Sequence, residues 1–302
     1  MWRVLNDDFA HWSPRRLAEL LGRDLDRLVQ LTEGTAGRYR AIRLPKRGGG
    51  HRELAVPEPE LKALQHDLMV LLDRALEAPP WVLGGRRGRS FVDHAARHQG
   101  RSWLLTVDVA DFFGRIGPAL VAPVLREFGL PEASITLIVA LAFRHGALPQ
   151  GAPSSPLLAN LAMAPIDLRL RRLARRRGLA FSRYFDDLAF SGDRDFGELR
   201  GPIAALLRQA GLPLAEHKTR YTGRDRPQVV TGLVVNDRLR PTRSFRGELE
   251  EELRLLQGGA LPRPRLEARV EGRLHHLARF DRREADRLRR RYGRALPSSS
   301  SS

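Results

Sequence analysis

Apolar residues recur along the chain with two different periods, and the switches between them lay out its elements. Leu17, Leu20, Leu21, Leu25, Leu28 and Leu31 stand at helical spacing behind Ser13-Pro14, a cap and first-turn pair, so residues 1–37 are expected to form a helical lead-in. Tyr39 to Ala55 alternates apolar with basic residues around Arg47-Gly48-Gly49-Gly50-His51, which predicts two strands joined by a glycine-rich turn. From Leu61 the positions Leu64, Leu68, Leu71, Leu72 and Leu76 return to helical spacing, until Pro79-Pro80 and a Gly/Arg loop from Gly84 to Arg89 break it. The run Trp103 to Val109 predicts a buried strand, followed by two helices before Leu148, and Pro153 to about Arg177 reads as helical. Phe181 to Phe190 is two short apolar segments meeting at Asp186-Asp187, the pattern of a hairpin. A helix over about Phe196 to Ala210 and a β-branched strand over Gln228 to Val235 follow. Beyond Pro241 the chain turns helical and rich in arginine, which sets a domain boundary there, and 298–302 is expected to be a disordered serine tail.

Composition narrows the class. With 302 residues and 42% hydrophobic content the chain can bury an ordinary core. Its longest largely apolar run, Ala133 to Phe143, is 11 residues, short of the roughly 18 that span a bilayer. The N-terminus lacks the apolar stretch of a secretory signal, so no membrane association and a cytoplasmic location are expected. The absence of cysteine excludes disulfides and thiolate zinc sites. Lys+Arg number 52 against 35 Asp+Glu, a net charge of +17 that points to a polyanionic partner, nucleic acid before any other. Only Lys46, Lys62 and Lys218 are lysines, so a drift towards arginine contributes to this composition without explaining the excess over acids.

Against that basic background, acidic residues at the ends of apolar strands stand out. Asp108 closes one such strand, and Asp186 and Asp187 occupy the centre of the expected hairpin. Side chains of adjacent strand residues point to opposite faces, so a tight turn is what would let Asp186 and Asp187 approach one site. Carboxylates so placed are costly unless paired or bound to cations, and Mg²⁺, held by one or two carboxylates plus substrate phosphates, is the matching ion. Taken alone, an Asp-Asp pair is far more often a solvated turn than a site.

The neighbouring strings decide between these readings. LLTVDVADFF around Asp108, LPQGAPSSP from Leu148 to Pro156, and YFDD from Tyr184 to Asp187 resemble, in the same order, three motifs of the reverse transcriptase family. The resemblance implies an α+β right-hand polymerase fold, with fingers and palm over 38–240 and a helical basic thumb over 241–297. It implies Asp108, Asp186 and Asp187 as catalytic ligands of two Mg²⁺ ions, for which Mn²⁺ could substitute. It assigns Asp111, Phe112, Phe113, Gln150 and Gly151 to the nucleotide pocket, with Phe113 as the bulky side chain that excludes a ribose 2′-hydroxyl. RLPKRGGGHREL resembles the finger hairpin that grips the triphosphate, which points to Lys46 and Arg52, and Lys218 aligns with a basic residue proposed to protonate pyrophosphate.

Within the family, VTGLVVND ending at Asp237 resembles the VTG signature of retron enzymes. A second retron signature, Asn-Ala-x-x-His, is matched in part by His94-Ala95-Ala96-Arg97-His98, with His where Asn is expected. His94 and His98 also stand at a metal-ligand spacing, though without a nearby Glu or Cys. The retron resemblance implies an RNA-directed DNA polymerase that copies a structured noncoding RNA into single-stranded DNA, with phage defence as one compatible role. Its partners would be that RNA, the RNA–DNA duplex, dNTPs and an effector protein encoded nearby. Arg287, Arg290 and Arg291 on the basic tail are the expected RNA contacts. Group II intron-like and defence-associated reverse transcriptases, an RNA-dependent RNA polymerase, and an inactive RNA-binding palm are the alternatives.

Overall fold

The computed structural model describes residues 1–5, 8–45, 51–257 and 263–292, so Lys46, most of the glycine turn and the serine tail lie outside the described residues. A two-residue strand, β1 (Arg3–Val4), precedes α1 (Pro14–Leu20) and α2 (Leu25–Thr32). Both helix starts are capped by side chains, Ser13 accepting from the Arg16 amide and Asp24 from the Asp26 amide. The leucines that set the helical spacing point inward, and with Trp2, Phe9 and Trp12 they join the main core of the molecule.

The alternating segment forms an antiparallel hairpin, β2 (Tyr39–Pro45) and β3 (His51–Pro57), in register from Tyr39 opposite Pro57 to Pro45 opposite His51. α3 (Pro59–Ala75) buries Leu61, Leu64, Leu68 and Leu72 and runs into β4 (Leu76–Glu77), which pairs with β1. The buried Gln65 amide donates to the Tyr39 hydroxyl and the Leu141 carbonyl, at 2.7 and 2.8 Å, tying α3 to the hairpin and to the helix that carries Leu141.

After α4 (Phe91–Ala96), the apolar run becomes β5 (Trp103–Asp108), the second-from-edge strand of a four-stranded antiparallel sheet. A short helical turn, α5 (Phe112–Arg115), leads to α6 (Pro118–Glu127) and α7 (Glu132–Ala142). The segment expected as one helix from Pro153 is two, α8 (Ser155–Ala162) and α9 (Ala164–Arg176), meeting at Met163. Pro165 in the first turn of α9 has no amide to offer a continuous helix, which accounts for the step. β6 (Ala180–Tyr184), β7 (Asp187–Gly192), α10 (Arg200–Gln209) and β8 (Arg220–Gly223) complete the sheet in the order β6-β7-β5-β8. α9 and α4 pack against β6.

The single strand expected over Gln228 to Val235 is instead a tight hairpin, β9 (Val229–Val230) and β10 (Leu233–Val234), extended by β11 (Arg240–Pro241). Thr231 and Gly232 take positive φ of 44° and 83°, the pair of left-handed residues that a two-residue hairpin turn requires. The β-branched run gave the right propensity, and the Thr-Gly turn inside it went unread. Beyond it, α11 (Arg243–Gln257), α12 (Arg263–Ala278) and α13 (Arg282–Tyr292) close a core of their own from Leu249, Leu253, Leu256, Val270, Leu274, Leu277, Leu288 and Tyr292. Phe280 reaches from this bundle to the small cluster of Leu104, Ala189, Val230 and Leu233. Antiparallel sheets with segregated helices make the chain α+β. Among the described residues no helix is long and apolar enough to cross a membrane.

Candidate active site

Asp108 is the last residue of β5 and Asp187 the first of β7, and they are direct partners in the ladder. Tyr184 pairs with Asp187 across β6 and β7, so Phe185 and Asp186 alone form the turn. Phe185 takes φ of 57°, a conformation rare for a bulky side chain. The Asp186 carbonyl accepts from the Val109 amide at 3.2 Å, which holds the turn against the end of β5. The sheet thereby brings three carboxylates to one end of two neighbouring strands, as the motifs led one to expect.

Their electrostatics are those of a site short of positive charge. Burial pushes Asp187 up to about 7, and the charges of Asp186 and Asp108 push in the same direction. Asp186 is raised as well, again chiefly by burial. Among the described residues the cation in contact is Lys218, whose Nζ lies 3.0 and 3.1 Å from the two Asp108 oxygens, and this pairing raises the lysine in turn. Lys218 is positioned by a loop strapped to the end of β5, with Ala215 N on Asp108 O at 2.8 Å and Ala110 N on Pro213 O at 2.9 Å. Three crowded carboxyl groups beside one ammonium suit a hard divalent ion, which would favour their ionised form. Among the described residues no three His, Asp or Glu side chains form a ready-made metal cage.

The residues expected at the nucleotide divide into several positions. Asp111 is exposed with φ of 50°, and a Cβ on Gly114 would stand 2.5 Å from its carboxylate, so only glycine leaves that carboxylate room. Phe112 turns into the main core, whereas Phe113 is half-buried, its ring 5.4 Å from Phe112 and 6.3 Å from Phe185. Gln150 and Gly151 are exposed and stitched to the finger hairpin: the Gln150 carbonyl accepts from Ala55 N at 2.8 Å. Gly151, at φ of 118°, sits so close to the Ala55 carbonyl that a Cβ would approach within 3.2 Å. Arg52, three residues before Ala55 on the same strand, is exposed.

Sequence reasoning passed over a buried polar network behind the turn. Arg183 is fully buried on β6 and pairs with Asp167 on α9, also buried, at 2.9 Å. Its guanidinium donates to Asn160 Oδ1 at 2.9 Å and to the Phe185 carbonyl at 3.0 Å. Breaking such a buried pair by removing one partner typically costs about 3–5 kcal/mol. The available signal was an arginine inside an apolar strand directly before the Tyr-x-Asp-Asp box. His98 is a satisfied core histidine, its ring nitrogens 2.8 and 2.7 Å from the Ser191 and Ser182 hydroxyls. His94 stacks on Tyr184, and burial lowers its pKa to about 4. On α13, Arg287, Arg290 and Arg291 are exposed, Arg287 pairing with Glu284 at 2.6 Å and Arg291 lying over the Tyr292 ring.

Residues 44–235 match the family model described as reverse transcriptase (RNA-dependent DNA polymerase). The chain is 34% identical to a Myxococcus xanthus protein named retron Mx65 reverse transcriptase, over 84% of this chain and 64% of that one. It is 32% identical to retron Ec86 reverse transcriptase of Escherichia coli, over 66% of this chain and 63% of that one. It thus spans somewhat less than two thirds of these relatives. Among solved structures, telomerase from Candida albicans in complex with a fragment of telomeric RNA shares the fold at a TM-score of 0.50 and 12% identity, covering 85% of this chain and 56% of that one. With a family model matched over more than half its length, this chain belongs to the reverse transcriptase family.

Proposed function

We propose that the chain is an RNA-directed DNA polymerase of retron type, which copies a structured noncoding RNA into single-stranded DNA. The observation that carries the reading is the pairing of Asp108 with Asp187, with Asp186 in the adjoining turn, at one end of the two inner strands of the sheet. Asp108, Asp186 and Asp187 would hold two Mg²⁺ ions. When bound, such ions supply activation of the attacking hydroxyl and charge neutralisation at the leaving pyrophosphate.

The chain's own groups supply the rest. Arg52 on the finger hairpin, and Lys46, which lies outside the described residues, would meet the triphosphate, where negative charge builds during transfer. The backbone link between Gln150 and Ala55 supports this, because it fixes the hairpin against the loop expected at the nucleotide and template. Phe113, half-exposed and within ring contact range of Phe185, is suited to crowd the sugar and reject a 2′-hydroxyl. Lys218, a proton donor that arginine could not replace, would release Asp108 and serve the pyrophosphate. The exposed arginines of α13 would hold RNA through its phosphates, adding affinity and little sequence information. Retron priming from a 2′-hydroxyl of the template RNA changes only the first nucleophile.

Primer extension on an RNA template, with dNTPs or NTPs supplied separately, tests the polymerase. DNA synthesis is expected; RNA synthesis alone would make the chain an RNA polymerase, and no synthesis an inactive palm. Purification with the native locus tests the retron assignment: the expected product is DNA covalently branched from a small RNA, which a debranching enzyme shifts on a denaturing gel. Unbranched products would remove the retron assignment and leave the polymerase.

A further inference from the structure

We infer that Arg183 is a positioning residue, which with Asn160 and Asp167 fixes where the turn presents Asp186 and Asp187. The inference rests on the proposal that these two carboxylates bind metal.

Arg183 is the penultimate residue of β6 and has no solvent exposure. One edge of its guanidinium is locked by Asp167, Nε donating to Oδ1 at 3.0 Å and Nη2 to Oδ2 at 2.9 Å. That pair alone would secure α9 to β6. The remaining donor, Nη1, points elsewhere: to Asn160 Oδ1 at 2.9 Å and to the carbonyl of Phe185 at 3.0 Å. The second bond grips the turn itself, at the residue with left-handed backbone immediately before Asp186. Such a conformation persists at a bulky residue only when its surroundings over-determine it.

The other surroundings belong to the same network. Asn160 spends its amide on the Gly84 carbonyl at 2.8 Å. Gly84 lies flat against the turn, so that a Cβ there would stand 2.6 Å from Phe185 N, and a Cβ on Gly85 would meet the Phe185 ring at 2.8 Å. The segment is further laced to β6 by Arg183 N on Trp81 O at 2.8 Å and Leu83 N on Arg183 O at 2.9 Å. The buried Arg183 side chain therefore bonds α9, α8 and the turn directly, and through Asn160 it is linked to the glycine loop that packs against Phe185. A guanidinium does this because its planar fork offers donors along several fixed directions, which an ammonium does not.

The test uses the full-length protein with Arg183→Lys, which keeps a cation beside Asp167 and gives up the fork. The variant is expected to melt cooperatively with an unchanged circular dichroism spectrum and an unchanged KM for dNTP. Its kcat should fall, and its Kd for Mn²⁺ without nucleotide, read from the free-ion electron paramagnetic resonance signal, should rise. Each change should exceed about fivefold, roughly the effect of a small misplacement of reacting groups. Either value staying within that limit in the folded variant overturns the inference. Should Arg183→Lys not fold, Asn160→Ala, which leaves the Asp167 pair intact, is held to the same limits; if neither folds, the network is structural and the inference falls. Asp187→Asn serves as the control. If it binds Mn²⁺ as wild type does, the metal-site proposal fails, separately from the role of Arg183.

Discussion

Lys218 Nζ bridges both carboxylate oxygens of Asp108, the residue that stands opposite Asp187 at the last rung of the β5–β7 ladder. The lysine compensates one of three crowded carboxylates and is more than half exposed, so it is free to exchange Asp108 for a substrate phosphate. Lys218→Arg preserves the charge and removes the transferable proton. Its single-turnover incorporation rate is expected to fall about a hundredfold, the low end of general-acid contributions, with dNTP affinity little changed. A rate equal to wild type would reduce Lys218 to a counter-ion.

Phe113 presents a half-buried ring between Phe112, which is core, and Phe185, which is in the turn. Phe113→Val is expected to raise the ratio of kcat/KM for NTP over dNTP by about tenfold or more, since a steric gate acts on that ratio alone. An unchanged ratio would make Phe113 a packing residue.

Asp108, Asp186 and Asp187 stood out because each belongs to a short string whose order along the chain is distinctive; the expected hairpin is there, with its turn at Phe185-Asp186 and with Asp187 already the first residue of β7. Arg183, Asn160 and Asp167 did not stand out, because their meaning lies in contacts between β6, α8 and α9 that no periodicity encodes. Likewise Thr231-Gly232 is a turn by virtue of backbone angles, while its flanking valines and leucine read as one strand.

His94 and His98 give the fold an acid sensitivity. Burial lowers His94 to about 4 and His98 well below its ordinary value, whereas both return near 6.5 on unfolding. The unfolded chain therefore binds protons first as pH falls, so stability is complete above about 6.5 and declines towards 4, by up to about 1.4 kcal/mol per pH unit for each histidine. Denaturant melts at pH 7 and 5 measure this. His94→Leu, which removes one of the two buried titrating rings, should be relatively more stable against wild type at pH 5 than at pH 7. An identical pH slope in the variant would contradict the assignment.

Charge reversal on α13 separates the three arginines. Arg287 is engaged by Glu284, while Arg290 is exposed with no ion pair among the described residues. Arg290→Glu and Arg291→Glu are expected to weaken RNA binding more than Arg287→Glu, each lowering the slope of log K against log salt by about 0.7 to 0.9. Equal slopes in all variants would exclude α13 from the phosphate contacts.

The most direct measurement is RNA-templated dNTP incorporation, with Mg²⁺ supplied, by wild type beside Asp108→Ala and Asp186→Ala. Charge stabilisation of several kcal/mol at the metal site corresponds to a loss of about a thousandfold or more. The account predicts that loss in both variants, with RNA affinity and melting temperature close to wild type. Incorporation within about tenfold of wild type in either one would contradict it.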